Sequence, residues 1–153
     1  MRTRLKKILL VLALIFVAMQ FYYPSHTNPP TDQSQTIQNR QNVPPGILAI
    51  LNRSCGDCHS SNTNWLWYTN VAPVSWFTVN HVKEGRAKLN FSEWGKYDRN
   101  RQDRRLNGIC NQCRRGEMPL ESYLLLHPQA RLSPDEVNML CEWVSKERAR
   151  MAQ

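Results

Sequence analysis

The sequence has few features of a β-sheet protein and contains no internal repeat. Stretches in which apolar and polar residues alternate are scarce, and no strand–helix–strand pattern surrounds the cysteines. A thioredoxin-like redox domain and a repeat array are therefore disfavoured. The chain is 153 residues long, which is enough for one domain with an attached segment.

The beginning of the chain lacks the small residues of a signal-peptidase site, and it has no lipobox cysteine. Four basic residues open it: Arg2, Arg4, Lys6 and Lys7. The apolar run Ile8–Met19 follows, and the stretch Leu5–Tyr23 is just within the roughly 17–25 residues that a membrane-spanning helix needs. Residues 1–23 are therefore predicted to form an uncleaved, single-pass anchor in a bacterial inner membrane, with a cleaved signal peptide as the alternative. Both interpretations place the remaining chain in the periplasm.

No acidic residue precedes the predicted anchor, so the charge of the chain is unevenly distributed. The formal net charge falls from +8 to +4 once the four N-terminal basic residues are set aside. The densest basic stretch that remains, Arg99–Arg105, is predicted to be a solvated helix face that could dock an acidic partner. No nucleic-acid partner is expected.

Residues 24–44 are polar, contain four prolines and show no apolar periodicity. This composition is typical of an extended linker. We therefore expect three parts, namely a signal segment over residues 1–23, a linker over residues 24–44 and a folded domain over residues 45–153.

Helical periodicity dominates the chain after residue 45. It predicts helices over residues 47–54, 75–89 and 99–115. The last helix has the clearest start, because Ser133 can act as its N-cap, Pro134 suits its first turn and Glu136 completes a capping box. These patterns predict a small all-α domain. Its core is modest and its connections are long, so another component is needed to organise it.

The stretch Ser54–Ser60 reads SCGDCHS and contains a C-x-x-C-H motif formed by Cys55, Cys58 and His59. Two cysteines at this spacing can reach the two vinyl groups of a haem and form thioethers, and the histidine that follows can bind the iron. The motif therefore predicts one covalently bound haem c per chain. The apolar faces of the porphyrin would supply the missing core.

Two other uses of these cysteines are less favoured. A second C-x-x-C pair, Cys110 and Cys113, could complete a four-cysteine zinc site with Cys55 and Cys58. The stretch between the two pairs is longer than in zinc ribbons, and unpaired thiols oxidise outside the cytoplasm. A zinc site and a plain disulfide therefore remain alternatives to the haem.

Met118 is predicted to be the second axial ligand of the iron. It precedes Pro119 in a loop after a helix, and proline favours an extended backbone at the preceding residue, which lets the thioether point inward. A His/Met ligand pair raises the reduction potential of a haem. The rival ligands are His81, which is expected on a solvated helix face, and His127, which is expected at a helix end.

Three further cysteines leave the disulfide pairing open. Cys110 and Cys141 each lie on an apolar helix face and could bridge two packed helices. Cys113 lies one turn from Cys110 and could pair with Cys141 in its place. The Cys110–Cys141 pairing is favoured, and free buried thiols are the other alternative.

Two long blocks carry more specific information: CGDCHSSNTNWLWYTNVAPVSWFTVNHVKEGRAKLNFSEW and GEMPLESYLLLHPQARLSPDEVNMLCEW. They resemble the bacterial haem-binding domain family, whose members look like small exported c-type cytochromes with one C-x-x-C-H motif. The resemblance spans roughly Pro45–Val144 and implies a cytochrome c-like fold around haem held by Cys55, Cys58 and His59. The Met-Pro block of the family falls on Met118. Its aromatic block implies four core or haem-pocket residues: Trp65, Trp67, Tyr68 and Trp76.

These features together favour electron transfer, with no catalytic residue. If His59 and Met118 fill both axial positions, the iron cannot readily bind a substrate, but it can cycle between its ferrous and ferric forms. Redox proteins at the membrane surface are the expected partners. A peroxidase-like enzyme or a haem-based gas sensor is the alternative. Either would need an open or displaceable sixth position, and His81 or Arg86 could then act in acid–base chemistry.

Overall fold

The structure is a computed structural model that describes all 153 residues, and it contains helices but no strand. The eight α-helices are α1 (Arg2–Met19), α2 (Ile37–Arg40), α3 (Pro45–Ser54), α4 (Gly56–His59), α5 (Val74–Lys88), α6 (Arg99–Arg114), α7 (Glu121–Leu124) and α8 (Pro134–Ala152). Four short 3-10 helices lie between them: Gln33–Gln35, Trp67–Asn70, Phe91–Lys96 and Pro128–Ala130. The predicted all-α class is confirmed.

The core lies where α3, α6 and α8 pack together. The stripe predicted on α3 is buried: Ile47, Ile50, Leu51 and Ser54. Leu106 of α6 and Leu140 of α8 are fully buried against it, as is Trp94 from the 3-10 helix Phe91–Lys96. Each large apolar side chain buried in this way stabilises the fold by about 1.5–3 kcal/mol. The core therefore fixes α3, and with it the start of the cysteine motif, against α6 and α8.

Helix α8 begins with the capping box that the sequence predicts. The Ser133 hydroxyl accepts a hydrogen bond from the Glu136 backbone N–H at 3.2 Å, and Glu136 Oε2 accepts one from the Ser133 N–H at 2.8 Å. Arg53 donates to the other carboxylate oxygen of Glu136 at 2.8 Å. This ion pair ties the start of α8 to the last turn of α3, directly before the motif.

Helix α1 forms where the anchor is predicted, and none of its residues is buried. Neither α1 nor any other helix is long and apolar enough to cross a membrane. The anchor over residues 1–23 stays a prediction.

The segment predicted to be a linker, residues 24–44, packs onto the domain. It contains the 3-10 helix Gln33–Gln35 and α2, and Ile37 at the start of α2 belongs to the core with 3% exposure. Both elements contact the 3-10 helix Phe91–Lys96. The packed part of the chain thus begins before residue 45, and the expectation of a free linker is wrong.

Candidate functional site

One turn of helix brings the residues of the C-x-x-C-H motif together. Cys55 separates α3 from α4, and its carbonyl oxygen accepts hydrogen bonds from the backbone N–H groups of Cys58 at 3.2 Å and His59 at 2.9 Å. Both thiols are free and half-buried. The rigid core therefore positions two thiols and an imidazole on a single turn.

The imidazole of His59 is oriented by the end of α5. Its Nδ1 lies 3.0 Å from the Leu89 carbonyl oxygen and 3.1 Å from the Gly85 carbonyl oxygen. Because a carbonyl only accepts hydrogen bonds, Nδ1 carries the proton and Nε2 keeps its lone pair. Burial lowers the pKa of His59, although the two carbonyl bonds oppose this shift. The ring is therefore a neutral imidazole with Nε2 available to a metal, and its other nitrogen is held in the manner usual for metal-binding histidines.

Two adjoining cavities of about 170 and 230 Å³ lie beside the motif. All four residues predicted to hold the cofactor line the smaller one: Cys55, Cys58, His59 and Met118. Cys55, His59 and Met118 also line the larger cavity, together with the apolar side chains of Leu89 and Ile109. We refer to these spaces as the motif cavity and the α6 cavity.

Met118 reaches the two cavities because α6 ends in a tight C-terminal turn. Gly116 has a φ of +68°, a conformation that disfavours residues with a Cβ. Its N–H donates to the Cys113 carbonyl at 3.1 Å, and the N–H of Glu117 donates to the Gln112 carbonyl at 3.0 Å. These two bonds form a Schellman motif, which turns the chain back over the last turn of α6. Met118 follows at once and packs, partly buried, against the core.

The environment of the thiols disfavours their ionised forms. Burial raises the pKa of Cys55 to about 12, with neighbouring Cys113 adding to the shift. Burial and the charge of Asp57 raise the pKa of Cys58 to about 11. Both groups are therefore neutral thiols near pH 7. A thioredoxin-like redox pair needs a thiolate, so this environment does not suit one.

Helix α5 and a tyrosine hold the motif turn in place, and sequence reasoning does not identify these contacts. A Cβ on Gly85 would lie 2.5 Å from the Cys58 carbonyl oxygen, so α5 can approach the turn this closely only with glycine. The Tyr123 hydroxyl donates to Asp57 Oδ2 at 2.7 Å. Glycine inside a helical pattern is the only sequence signal of such a close approach.

Arg86, a candidate for acid–base chemistry in the enzyme alternative, supports the loop after the motif instead. Its Nε donates to the Ser60 carbonyl at 2.7 Å, and its Nη2 donates to the Thr63 hydroxyl at 2.8 Å. Arg86 lines neither the motif cavity nor the α6 cavity.

The two rival histidines differ in their surroundings. His127 is buried, stacks on the Tyr123 ring at 4.0 Å between centroids, and its Nε2 lies 3.1 Å from the Tyr68 hydroxyl. It does not line the motif cavity. His81 is half-buried and does line that cavity, so the prediction of a wholly solvated position is wrong for it.

The aromatic block does not form one pocket around the motif. Trp67 is 77% exposed, so the expectation of a core or pocket position is wrong for this residue. Trp65 and Tyr68 line a third cavity of about 280 Å³, which also includes Asp57 and Cys58.

Cys110 and Cys141 are joined by a disulfide with Cα atoms 4.9 Å apart, and Cys113 is a free buried thiol. This bond links α6 to α8. Because it consumes Cys110, the four-cysteine zinc site that the sequence spacing allows does not form. The chemistry beside the motif is that of an imidazole Nε2, a thioether and two neutral thiols, with the apolar side chains of Leu89 and Ile109 nearby, which suits a haem.

A sequence model of the family described as "Haem-binding domain" matches residues 14–146 of the chain. No curated protein and no solved structure matches it. The family match covers the motif, the helices α3, α5 and α7 that contact it, and Met118. The chain therefore belongs to the haem-binding domain family.

Proposed function

We propose that the protein is a c-type cytochrome-like electron carrier in which Cys55 and Cys58 bind haem covalently and His59 and Met118 bind the iron. The observation that carries this proposal is that these four side chains line one cavity, with Nδ1 of His59 engaged by backbone carbonyls and Nε2 free. When bound, the haem supplies a one-electron ferrous–ferric couple.

The state of the cysteines supports covalent attachment. Cys55 and Cys58 are free, whereas Cys110 and Cys141 are paired with each other. In the proposed attachment, each thiol adds across one vinyl double bond. A carbon–sulfur bond forms and the hydrogen of the thiol passes to the neighbouring vinyl carbon, so the addition consumes neither an oxidant nor a reductant.

The surroundings of the cavity favour a carrier over an enzyme. Met118 lines the same cavity as His59, which supports its proposed role as the sixth ligand, and Arg86 is engaged by the loop after the motif. Of the two candidates for acid–base chemistry, His81 and Arg86, only His81 lines the motif cavity. A peroxidase-like enzyme or a gas sensor is therefore the second candidate, and it requires that Met118 leave the iron.

We place this activity outside the cytoplasm, in the periplasm of a bacterium, because haem is attached to C-x-x-C-H motifs there. The proposed partners are redox proteins that dock weakly through charged surfaces. The exposed basic residues of α6 are suited to an acidic partner.

The axial ligand is tested by visible absorption spectra of the full chain produced with a cytochrome c maturation system. The ferric wild type should be six-coordinate and low-spin with a methionine-to-iron band, and its ferrous form should not bind added CO rapidly. Met118→Ala should lose this band and bind CO rapidly. Met139→Ala is the matched control, because Met139 is exposed on α8, and its spectrum should equal that of the wild type. Rapid CO binding by the wild type would favour the enzyme or sensor.

Covalent attachment is tested separately by the mass of the denatured chain after acid–acetone extraction. The wild type should retain one haem, and Cys55→Ala together with Cys58→Ala should release it. A colourless wild-type chain with the mass of the bare polypeptide would refute the c-type assignment.

A further inference from the structure

Three basic side chains line the α6 cavity together with Cys55 and His59. Lys88 lies at the end of α5, and Arg104 and Arg105 lie on α6. Lys88 also lines the motif cavity. The α6 cavity is therefore lined by three cations and by no acidic residue, whereas the motif cavity is also lined by Asp57 and Glu84.

None of these three cations has a partner within the protein. The seven ion pairs of the chain involve other basic residues. The nearest acid in sequence, Asp103, is held by Arg148, whose Nε lies 2.7 Å from its Oδ1. Glu84, one turn before Lys88, accepts instead from Asn80 at 2.9 Å.

The surroundings of Arg105 give the clearest indication that these cations bind an anion. Its Nε is buried and has no hydrogen-bond acceptor. A buried guanidinium N–H is costly to leave unpaired, so native structures almost always provide an acceptor for it. The planar guanidinium suits a carboxylate, which it can bind through two parallel hydrogen bonds.

We infer that Lys88, Arg104 and Arg105 form a carboxylate-binding site for the two propionate groups of the haem. The inference rests on the proposed function, because it takes the haem to occupy the cavities that Cys55, His59 and Met118 line. The thioethers would fix the vinyl edge of the porphyrin, and the three cations would bind the carboxylates at its other edge. The site thus selects the orientation of the porphyrin and sets the charge around the iron.

The first test compares haem with haem dimethyl ester, whose propionates carry no charge. The probe protein is the full chain with Cys55→Ala and Cys58→Ala, which binds either compound without forming thioethers. Adding Lys88→Gln, Arg104→Gln and Arg105→Gln should weaken the binding of ferric haem at least tenfold and leave the binding of the ester unchanged. Equal effects on both compounds would overturn the inference.

Matched controls come from the same two helices. Lys83 on α5 and Arg99 on α6 are exposed, and neither lines the α6 cavity. Lys83→Gln with Arg99→Gln and Arg114→Gln, the last also exposed on α6 and outside the α6 cavity, removes three positive charges from the same helices. It should leave the ratio of haem to ester affinity as in the parent. If the control variant lost as much haem affinity as the cavity variant, the effect would be one of net charge in general, and the inference would also be overturned.

A second measurement uses the covalently matured protein. With the three cations present, the propionates should stay ionised over the neutral pH range, and the reduction potential should vary little with pH. In the variant without the cations, the propionates should bind protons at least tenfold more strongly. The pH range over which the reduction potential changes should therefore shift upward by at least one pH unit. The same dependence of the reduction potential on pH in the variant and the wild type would count against the site. Failure to form thioethers would instead refute the proposed attachment, while the haem and ester comparison would still decide the carboxylate site.

Discussion

Gly85 and Cys58 are in such close contact that a Cβ on Gly85 would lie 2.5 Å from the Cys58 carbonyl oxygen. The Gly85 carbonyl in turn lies 3.1 Å from Nδ1 of His59. One glycine thus lets α5 approach the motif turn and helps fix the tautomer of its histidine. The position of the imidazole depends on this helix contact as well as on the motif itself.

We predict that Gly85→Ala destabilises the fold and impairs haem binding. The added methyl group must push α5 away from the motif turn, which should lower the free energy of unfolding by about 1–3 kcal/mol. Urea unfolding of the full chain measures this loss, and the haem content per polypeptide should fall in parallel.

Gly46→Ala is the control for this substitution, because a Cβ on Gly46 would meet no atom within 4 Å. Alanine is also the better residue in α3, so this variant should be as stable as the wild type or slightly more stable. A Gly85→Ala protein as stable as the wild type would show that the close contact carries no constraint.

The hydrogen bond between Tyr123 and Asp57 ties α7 to the motif turn. Burial and the neighbouring Asp57 raise the pKa of Tyr123, so its hydroxyl remains a donor at neutral pH. Tyr123→Phe leaves one carboxylate oxygen of Asp57 without this donor and should cost about 1.5–3 kcal/mol in the free energy of unfolding. Tyr22→Phe, at a residue that is 70% exposed, should cost almost nothing. Equal unfolding curves for the two variants would contradict the assigned role.

The Cys110–Cys141 bond closes a loop with a sequence separation of 31 residues between α6 and α8. Cys141→Ala should lower the free energy of unfolding by about 2–4 kcal/mol, because the unfolded chain gains conformational freedom. Cys113→Ala removes a buried thiol from the same region without breaking a disulfide. It should lower the free energy of unfolding by a clearly smaller amount. Urea unfolding under non-reducing conditions compares the two. Equal losses would indicate that the bond does not form in solution.

Local sequence patterns predict those elements of the fold that depend on residues close to one another in the sequence. Ser133 and Glu136 cap α8 through bonds that span three residues, so the sequence alone suffices to locate them. Likewise, Cys55, Cys58 and His59 share one helical turn because of their spacing. The apolar stripe on α3 can likewise be predicted from the helical spacing of its residues.

The features that the sequence does not reveal depend on distant contacts. Ile37 is a single apolar residue in a polar, proline-rich segment, and it is buried because it meets the 3-10 helix Phe91–Lys96. The unpaired Arg105 occurs in a run of basic residues that is typical of a solvated surface. Only the three-dimensional structure shows that its Nε is buried beside the cavity.

The capping box of α8 supplies a prediction about pH. The Ser133 backbone N–H, and secondarily Arg53, hold the pKa of Glu136 below its usual value of 4.5. The folded chain thus binds this proton less readily than the unfolded chain, and the resulting stability is present above about pH 4.5 and is lost as the pH falls further. Glu136→Gln should therefore lower the free energy of unfolding by about 1 kcal/mol at pH 7, which is the usual worth of a helix cap.

The difference between Glu136→Gln and the wild type should shrink as urea unfolding is repeated at successively lower pH, because protonation removes the same charge from the wild-type carboxylate. Glu142→Gln is the matched control on α8. Its carboxylate pairs only with Lys146 on the solvent-exposed face, so the variant should differ from the wild type much less than Glu136→Gln does at every pH. A Glu136→Gln deficit that stays constant down to pH 3 would mean that the ionised carboxylate does not stabilise the helix start, and the effect would then have to come from packing.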